Sequence, residues 1–216
     1  MNAFVFKSYG YDADTRSIAL EYAYENGPSF IEAVHFPDCK SSLNSDEIDA
    51  LDKAMRGLHF AAGISYYKAY CPKDIRVETA PMAKEEADFF FKFYRHGLGE
   101  FSVENDIDLS GVIRFPVASN HHPHASELAL EAASVVPIGG GKDSVVSLDA
   151  VKRANHPYKM IAINAGRPIK DVMEVAGGDA IHIKRTLDKT LFDLNDLPVD
   201  HGRAMNGHVP ITGILS

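Results

Sequence analysis

Cysteine is nearly absent. Cys39 and Cys71 are the only two in 216 residues, and they form no C-x-x-C pair. That excludes a zinc knuckle built from paired cysteines and fits a reducing, cytoplasmic setting. Long apolar runs are also missing. None reaches the roughly 20 residues of a membrane-spanning helix, so no membrane partner is expected. The opening MNAFVFKSYGYDAD has no basic stretch followed by an apolar core, so it does not read as a secretory signal. Basic residues are in deficit, 22 against 30 acidic, for a net charge of −8. Such a balance argues against a nucleic-acid partner, though not against a local basic pocket. There is no internal repeat and no low-complexity tract. What remains is ordinary for a globular chain of one or two domains, with 45% hydrophobic and 24% charged residues.

One stretch departs from this ordinary background. Ser134 to Asp149 reads SVVPIGGGKDSVVSLD. Its first five residues have the β-branched content of a buried strand. Gly139, Gly140 and Gly141 follow at once. Then come Lys142, Asp143, Ser144 and an apolar pattern at helical spacing: Val145, Val146, Leu148 and Val151. Strand, glycine turn and helix together make an anion site. Glycine allows positive φ and leaves backbone N–H groups uncovered, and a helix start adds unpaired N–H groups and a positive dipole end. The spacing fits neither a Walker A loop, because Asp143 follows Gly141-Lys142, nor the G-x-G-x-x-G dinucleotide turn.

GGGKDS resembles the loop of the PP-loop ATP pyrophosphatases, with Gly139 standing where that family has its first serine. The exchange removes one hydroxyl donor but leaves the backbone cradle. Taken with INAGRP, IKRTLD and NGHVPIT further on, the stretch resembles the UDP-N-acetylmuramoyl-L-alanyl-L-glutamate epimerase family. The resemblance is clearest from Ser134 onward and thinner over the first 130 residues. It implies chains about twice as long, so this chain is expected to correspond to an N-terminal half.

Elsewhere the sequence predicts an N-terminal α+β domain over residues 1–125 and a parallel-sheet PP-loop domain, adenine nucleotide alpha hydrolase-like and incomplete, over 126–216. Phe4–Tyr9 and Ser17–Tyr24 read as strands around a polar turn, and Phe30–Phe36 as a third strand stopped by Pro37. Asn44 with Glu47 suggests a capping box for a helix running from Ser45 to about Ala69. Asp74–Glu78 reads as a short strand, and Pro81 as the first turn of a helix that Gly97 stops. The aromatic run from Phe89 to Tyr94 reads as a helix buried between layers, or else as a ligand wall. Gly99–His124 reads as a polar linker. Its histidines, His121, His122 and His124, suit a solvent-exposed segment better than a metal site. A short helix is expected over Ser126–Ala133. A β-α-β-α-β order follows, with strands at Lys159–Asn164 and Ala180–Ile183 and a helix over Ile169–Ala176. This implies parallel strands with right-handed crossovers and ligands at their carboxyl ends. Leu187–Pro210 reads as loop and Ile211–Ser216 as a helix start. The resulting three-stranded sheet would have no closing strands.

The resemblance implies ATP and Mg²⁺ as cofactors and a UDP-N-acetylmuramoyl-dipeptide as substrate. Pyrophosphate would sit on Gly140–Ser144, with Lys142 neutralising charge and Ser144 donating a hydrogen bond. Asp143 would either hold Mg²⁺ or cap the helix. Adenine would lie near Ala162–Asn164, where Asn164 also reads as a plain turn residue. Arg185 reads as a ligand for phosphate or for a substrate carboxylate, or as a surface charge. His182, His208 and the two cysteines are the candidate bases for inverting the α-carbon of glutamate. An amide- or thio-transferring PP-loop enzyme is one alternative, and a non-enzymatic nucleotide-binding fragment is another.

Overall fold

A computed structural model describes residues 1–37, 42–118, 124–126 and 128–194. The chain runs β1 (Ala3–Asp12), β2 (Ser17–Tyr24), β3 (Ser29–His35), α1 (Ser45–Ala62), α2 (Ile64–Tyr67), β4 (Asp74–Val77), α3 (Lys84–Gly97) and α4 (Gly99–Glu104). It continues through β5 (Ser134–Pro137), α5 (Lys142–Arg153), β6 (Tyr158–Ile163), α6 (Arg167–Ala176), β7 (Ala180–Thr186) and α7 (Lys189–Asp193). All seven strands lie in one mixed sheet, in the order β4-β1-β2-β3-β7-β6-β5.

The spacing of aromatic residues shapes β1. Phe4 and Phe6 face the core, and so do Tyr9 and Tyr11, which pair with Leu20 and Ile18. A strict two-residue period would turn Tyr9 outward. The register against β2 shifts between Phe6 and Ser8, and this bulge restores the inward face. The strand is thus longer than the sequence pattern predicts, because the irregular spacing hides its second half.

Asn44 caps α1 as expected. Its side chain accepts from the Asp46 and Glu47 backbones, and the Glu47 carboxylate accepts from the Asn44 backbone. The helix breaks at Gly63, earlier than the apolar pattern suggests. A Cβ there would lie 2.5 Å from a Phe6 ring carbon and 2.9 Å from the Tyr94 hydroxyl, so only glycine permits this approach. Pro81 precedes α3 rather than opening it, since the cap is Ala83. Nor is α3 enclosed between layers. Ala87, Phe90 and Tyr94 are buried, but Phe89 is 60% exposed.

The segment expected to be a polar linker contributes to the core instead. Leu109, Ile113 and Phe115 are buried in the main cluster, and the Ala118 backbone donates to the Met82 carbonyl. His121 and His122 lie outside the described residues, while His124 is exposed beside Asp49. No helix forms among the described residues of 126–133.

Alternation along the strands assigns two cores to opposite faces. Phe30, Val34, Ile183 and their aromatic neighbours pack under α1 to α4. Val136, Met160 and Ala162 pack against Leu148 of α5 and Met173 of α6. The parallel trio β5, β6, β7 does not lack a closing strand, contrary to the sequence expectation. β3 closes it antiparallel along β7, with Ala33, Val34 and His35 opposite Thr186, Arg185 and Lys184. This pairing carries β7 three residues beyond its expected end. The Arg185 guanidinium meets the Glu32 carboxylate at 2.5 and 2.9 Å and donates to the Ser65 hydroxyl at 3.0 Å, all buried.

Breaking that pair strands a charge in a low-dielectric core. Glu32→Leu is expected to cost about 3–5 kcal/mol, whereas Glu32→Leu with Arg185→Met recovers most of the loss. Urea unfolding followed by circular dichroism measures both. A single variant as stable as the parent would show that the pair does not hold the junction.

Candidate nucleotide site

The turn after β5 is built as its composition demands. Ile138 continues the pairing by donating from its backbone to the Ile161 carbonyl, and the chain then reverses through the three glycines. Gly140 has φ +78°, in the left-handed region that side chains disfavour. It also packs closely: a Cβ there would lie 3.2 Å from Ile169 Cγ1 and 3.5 Å from the Ile169 nitrogen. The turn is thus seated on the first turn of α6. Gly139 and Gly141 face open space, where an added Cβ would meet nothing within 4 Å.

Two helix starts converge at this turn. Gly141 caps α5 and Gly166 caps α6, both with extended backbone and neither with a side-chain cap. Their first-turn N–H groups are therefore not occupied by any capping side chain. Lys142 and Asp143 are exposed at the start of α5. Ser144 is half-buried, and its hydroxyl donates to the Gly141 carbonyl at 2.8 Å. As a phosphate donor it would first have to turn away from that carbonyl. An exposed glycine turn, flanking lysine and two uncapped helix starts suit a phosphate chain. Asp143 is the carboxylate at hand for a divalent cation. Among the described residues no cluster of three or more His, Cys, Asp or Glu could hold a metal by itself.

Asn164 ends β6 at φ +50° and clamps the neighbouring strand. Its side chain accepts from the Arg185 nitrogen at 2.9 Å and donates to the Arg185 carbonyl at 2.8 Å. That side chain is occupied in holding β7. Arg185, expected to bind phosphate or a substrate carboxylate, turns to the opposite face and is committed to Glu32. The reason is parity: with Ile183 it points toward α1 and α2, while His182 and Lys184 point toward α6.

Asp188, in the same IKRTLD stretch, also joins the halves of the sheet. Its carboxylate accepts from the Ile31 backbone at 2.7 Å and the Thr190 backbone at 2.8 Å. Burial raises its pKa, but these accepted hydrogen bonds outweigh that and hold it below the usual carboxylate value.

The candidate bases separate. His182 is exposed on β7. His208 and Cys39 lie outside the described residues. Cys71 is a buried thiol that burial pushes up to about 12, with its sulfur turned toward the Lys68 carbonyl, so it is no thiolate base at neutral pH. The sequence reading missed a cleft of about 770 Å³ between α6 and β7, which includes Asn164, Lys170, Glu174, His182 and Lys184. The available signal was the shared helix face of Lys170 and Met173.

Conformation and contact make opposite demands at adjacent glycines. Gly140→Ala is expected to cost about 1–3 kcal/mol through left-handed strain and the clash with Ile169. Gly139→Ala should be neutral, within about 0.5 kcal/mol. Denaturation midpoints of the two variants check this, and equal losses would contradict it.

Comparison with known proteins agrees with the motifs. The whole chain, residues 1–216, matches the family described as the MurL N-terminal domain. It is 36% identical over 216 residues to the UDP-N-acetyl-alpha-D-muramoyl-L-alanyl-L-glutamate epimerase of Xanthomonas oryzae pv. oryzae, covering all of this chain and 47% of that protein. Proteins of the same name from a Micromonospora species and from Salinispora tropica are each 32% identical, again over all of this chain, and are covered to 48% and 47%. The chain thus spans about half the length of these curated relatives. No solved structure matches it. On the match along its full length, the chain belongs to the MurL N-terminal domain family.

Proposed function

We propose that this chain forms the nucleotide-binding part of an ATP-dependent epimerase. The enzyme would invert the terminal L-glutamate of UDP-N-acetylmuramoyl-L-alanyl-L-glutamate to D-glutamate in peptidoglycan precursor synthesis. The observation that carries this reading is family membership over the whole chain, with relatives named for that epimerase. The exposed glycine turn between two uncapped helix starts supports it independently. The proposed setting is the cytoplasm, which supplies ATP. No helix among the described residues is long and apolar enough to cross a membrane.

The chemistry explains why a nucleotide is needed. The α-proton of a glutamate carboxylate is very weakly acidic, because its removal puts a carbanion beside a negative charge. A carboxylate oxygen attacking the α-phosphorus of ATP releases pyrophosphate and leaves an acyl-adenylate, whose acyl group no longer carries the carboxylate's charge. Its carbonyl can accept the electron pair when a base removes the proton. Return of a proton to the opposite face inverts the centre, and hydrolysis releases AMP.

In this chain the Gly140–Ser144 backbone would cradle the departing pyrophosphate and Lys142 would offset its charge. Asp143 would hold Mg²⁺, which supplies further charge neutralisation when bound. Backbone groups around Ala162–Asn164 would read the adenine. The division of labour proposed along the chain gives the nucleotide turn to residues 126–216 and its bracing to residues 1–125.

In the longer protein, Lys142→Ala should weaken ATP binding by about 1–3 kcal/mol, the scale of a lost charge-assisted hydrogen bond. Calorimetry giving equal affinities would reject the loop assignment. Turnover should yield AMP and pyrophosphate by ³¹P NMR; ADP as the main product would exclude the adenylate.

The full reading is tested in deuterated water with MgATP and the L-glutamate substrate. Deuterium at the glutamyl α-carbon and a D-configured product are expected from the longer protein. AMP formation without exchange would point instead to an amide-forming relative.

A further inference from the structure

The cleft between α6 and β7 has a polarity that follows from topology. Strand β7 and helix α6 run in opposite directions along it. Lys170, in the first turn of α6, and Lys184, near the end of β7, therefore lie at the same end, beside Asn164 and the glycine turn. Glu174 and Ala180 lie at the far end, and His182 lies between. α5 and α6 pack chiefly over β5 and β6, with Ala180 at the start of β7 joining their cluster, and the cleft runs along β7 beside α6.

The cations near the strand ends are few. Arg185 is sealed on the opposite face with Glu32. Arg167 points to solvent, its side chain 92% exposed, with Asp171 at 3.8 Å. Lys142 stands at the turn itself. Lys170 and Lys184 are both exposed, and neither enters an ion pair with a described residue. Two ammonium groups with no ion-pair partner among the described residues thus line one end of a cleft that begins one residue past Ile169, on which Gly140 of the glycine turn rests.

Carboxyl activation needs two anions side by side: the nucleotide's phosphate chain and the carboxylate that attacks it. Their repulsion is offset only if cations face the carboxylate as well as the phosphates. We propose that the cleft between α6 and β7 binds the carboxylate-bearing end of the peptide substrate, with Lys170 and Lys184 as its cationic contacts. The glutamyl carboxylate would lie at the lysine end, directed at the glycine turn, and the rest of the peptide would run along β7 past His182. This placement rests on the proposed carboxyl activation at the turn.

The test uses the longer protein and equilibrium binding, so that it does not depend on turnover. Calorimetric titration with UDP-N-acetylmuramoyl-L-Ala-L-Glu compares the parent with Lys170→Gln/Lys184→Gln, whose folding is checked by its melting midpoint. The double variant should bind the peptide roughly tenfold or more weakly, the scale of one to two lost charge-assisted contacts, and bind ATP as before. Lys170→Arg/Lys184→Arg should restore most of the peptide affinity, which a loss of packing would not allow.

Unchanged peptide binding would make the cleft a solvated sheet face and overturn the inference. So would a loss confined to ATP, which would make the cleft part of the nucleotide site, or a parent protein that binds no peptide. A parent that binds the peptide through these lysines yet never exchanges its α-proton would leave the inference standing and remove the epimerase reading instead.

Discussion

The seam between β3 and β7 is the constraint on which the rest of the structure depends. It joins a meander built largely of antiparallel pairs to a parallel trio, and backbone hydrogen bonds alone would span only three residue pairs. Side chains extend it. Arg185 forks onto Glu32 in the buried core, and Asp188 takes the Ile31 N–H just beyond the last strand pair. Asn164 holds the Arg185 backbone from the other side. One residue of β7 is thus fixed by its side chain to β3 and by its main chain to the end of β6. A charge pair this deep adds little net stability over apolar residues of equal size. Its effect is on register, since a one-residue slip would place Arg185 on the opposite face and leave Glu32 buried without a partner.

That register positions the candidate site. With β7 clamped, His182 and Lys184 must face α6, and the cleft between them acquires its lysine end beside the glycine turn. The turn itself is braced by contact rather than by hydrogen-bonding side chains: Gly140 sits on Ile169, and the two helix starts keep their N–H groups free of capping side chains. An anion site needs unpaired donors, and a helix that capped itself would compete with the ligand.

Much of this was legible locally. The strand, three glycines and Lys-Asp-Ser marked the turn, and Asn44 with Glu47 marked the capping box, because each signal lies within a few residues. The long extent of β1 was obscured by the odd spacing from Phe6 to Tyr9, which only a bulge reconciles. Leu109, Ile113 and Phe115 were hidden because isolated apolar residues in a polar stretch carry no period. Arg185 was misplaced for a different reason. A basic residue near a strand end looks the same whether it meets a phosphate or a carboxylate 153 positions away.

The amino-acid sequence by itself determined the local chemistry: a glycine turn between strand and helix, the parallel order that follows it, and the family to which these motifs belong. Those properties depend on neighbouring residues and backbone dihedrals. Tertiary structure alone decided which edge of the parallel trio is closed, which face each side chain of β7 presents, and that Cys71 is a buried thiol rather than a base. These depend on pairing between segments far apart in the chain, where a partner's identity, and with it the choice between a ligand contact and a structural one, leaves no mark on the local pattern.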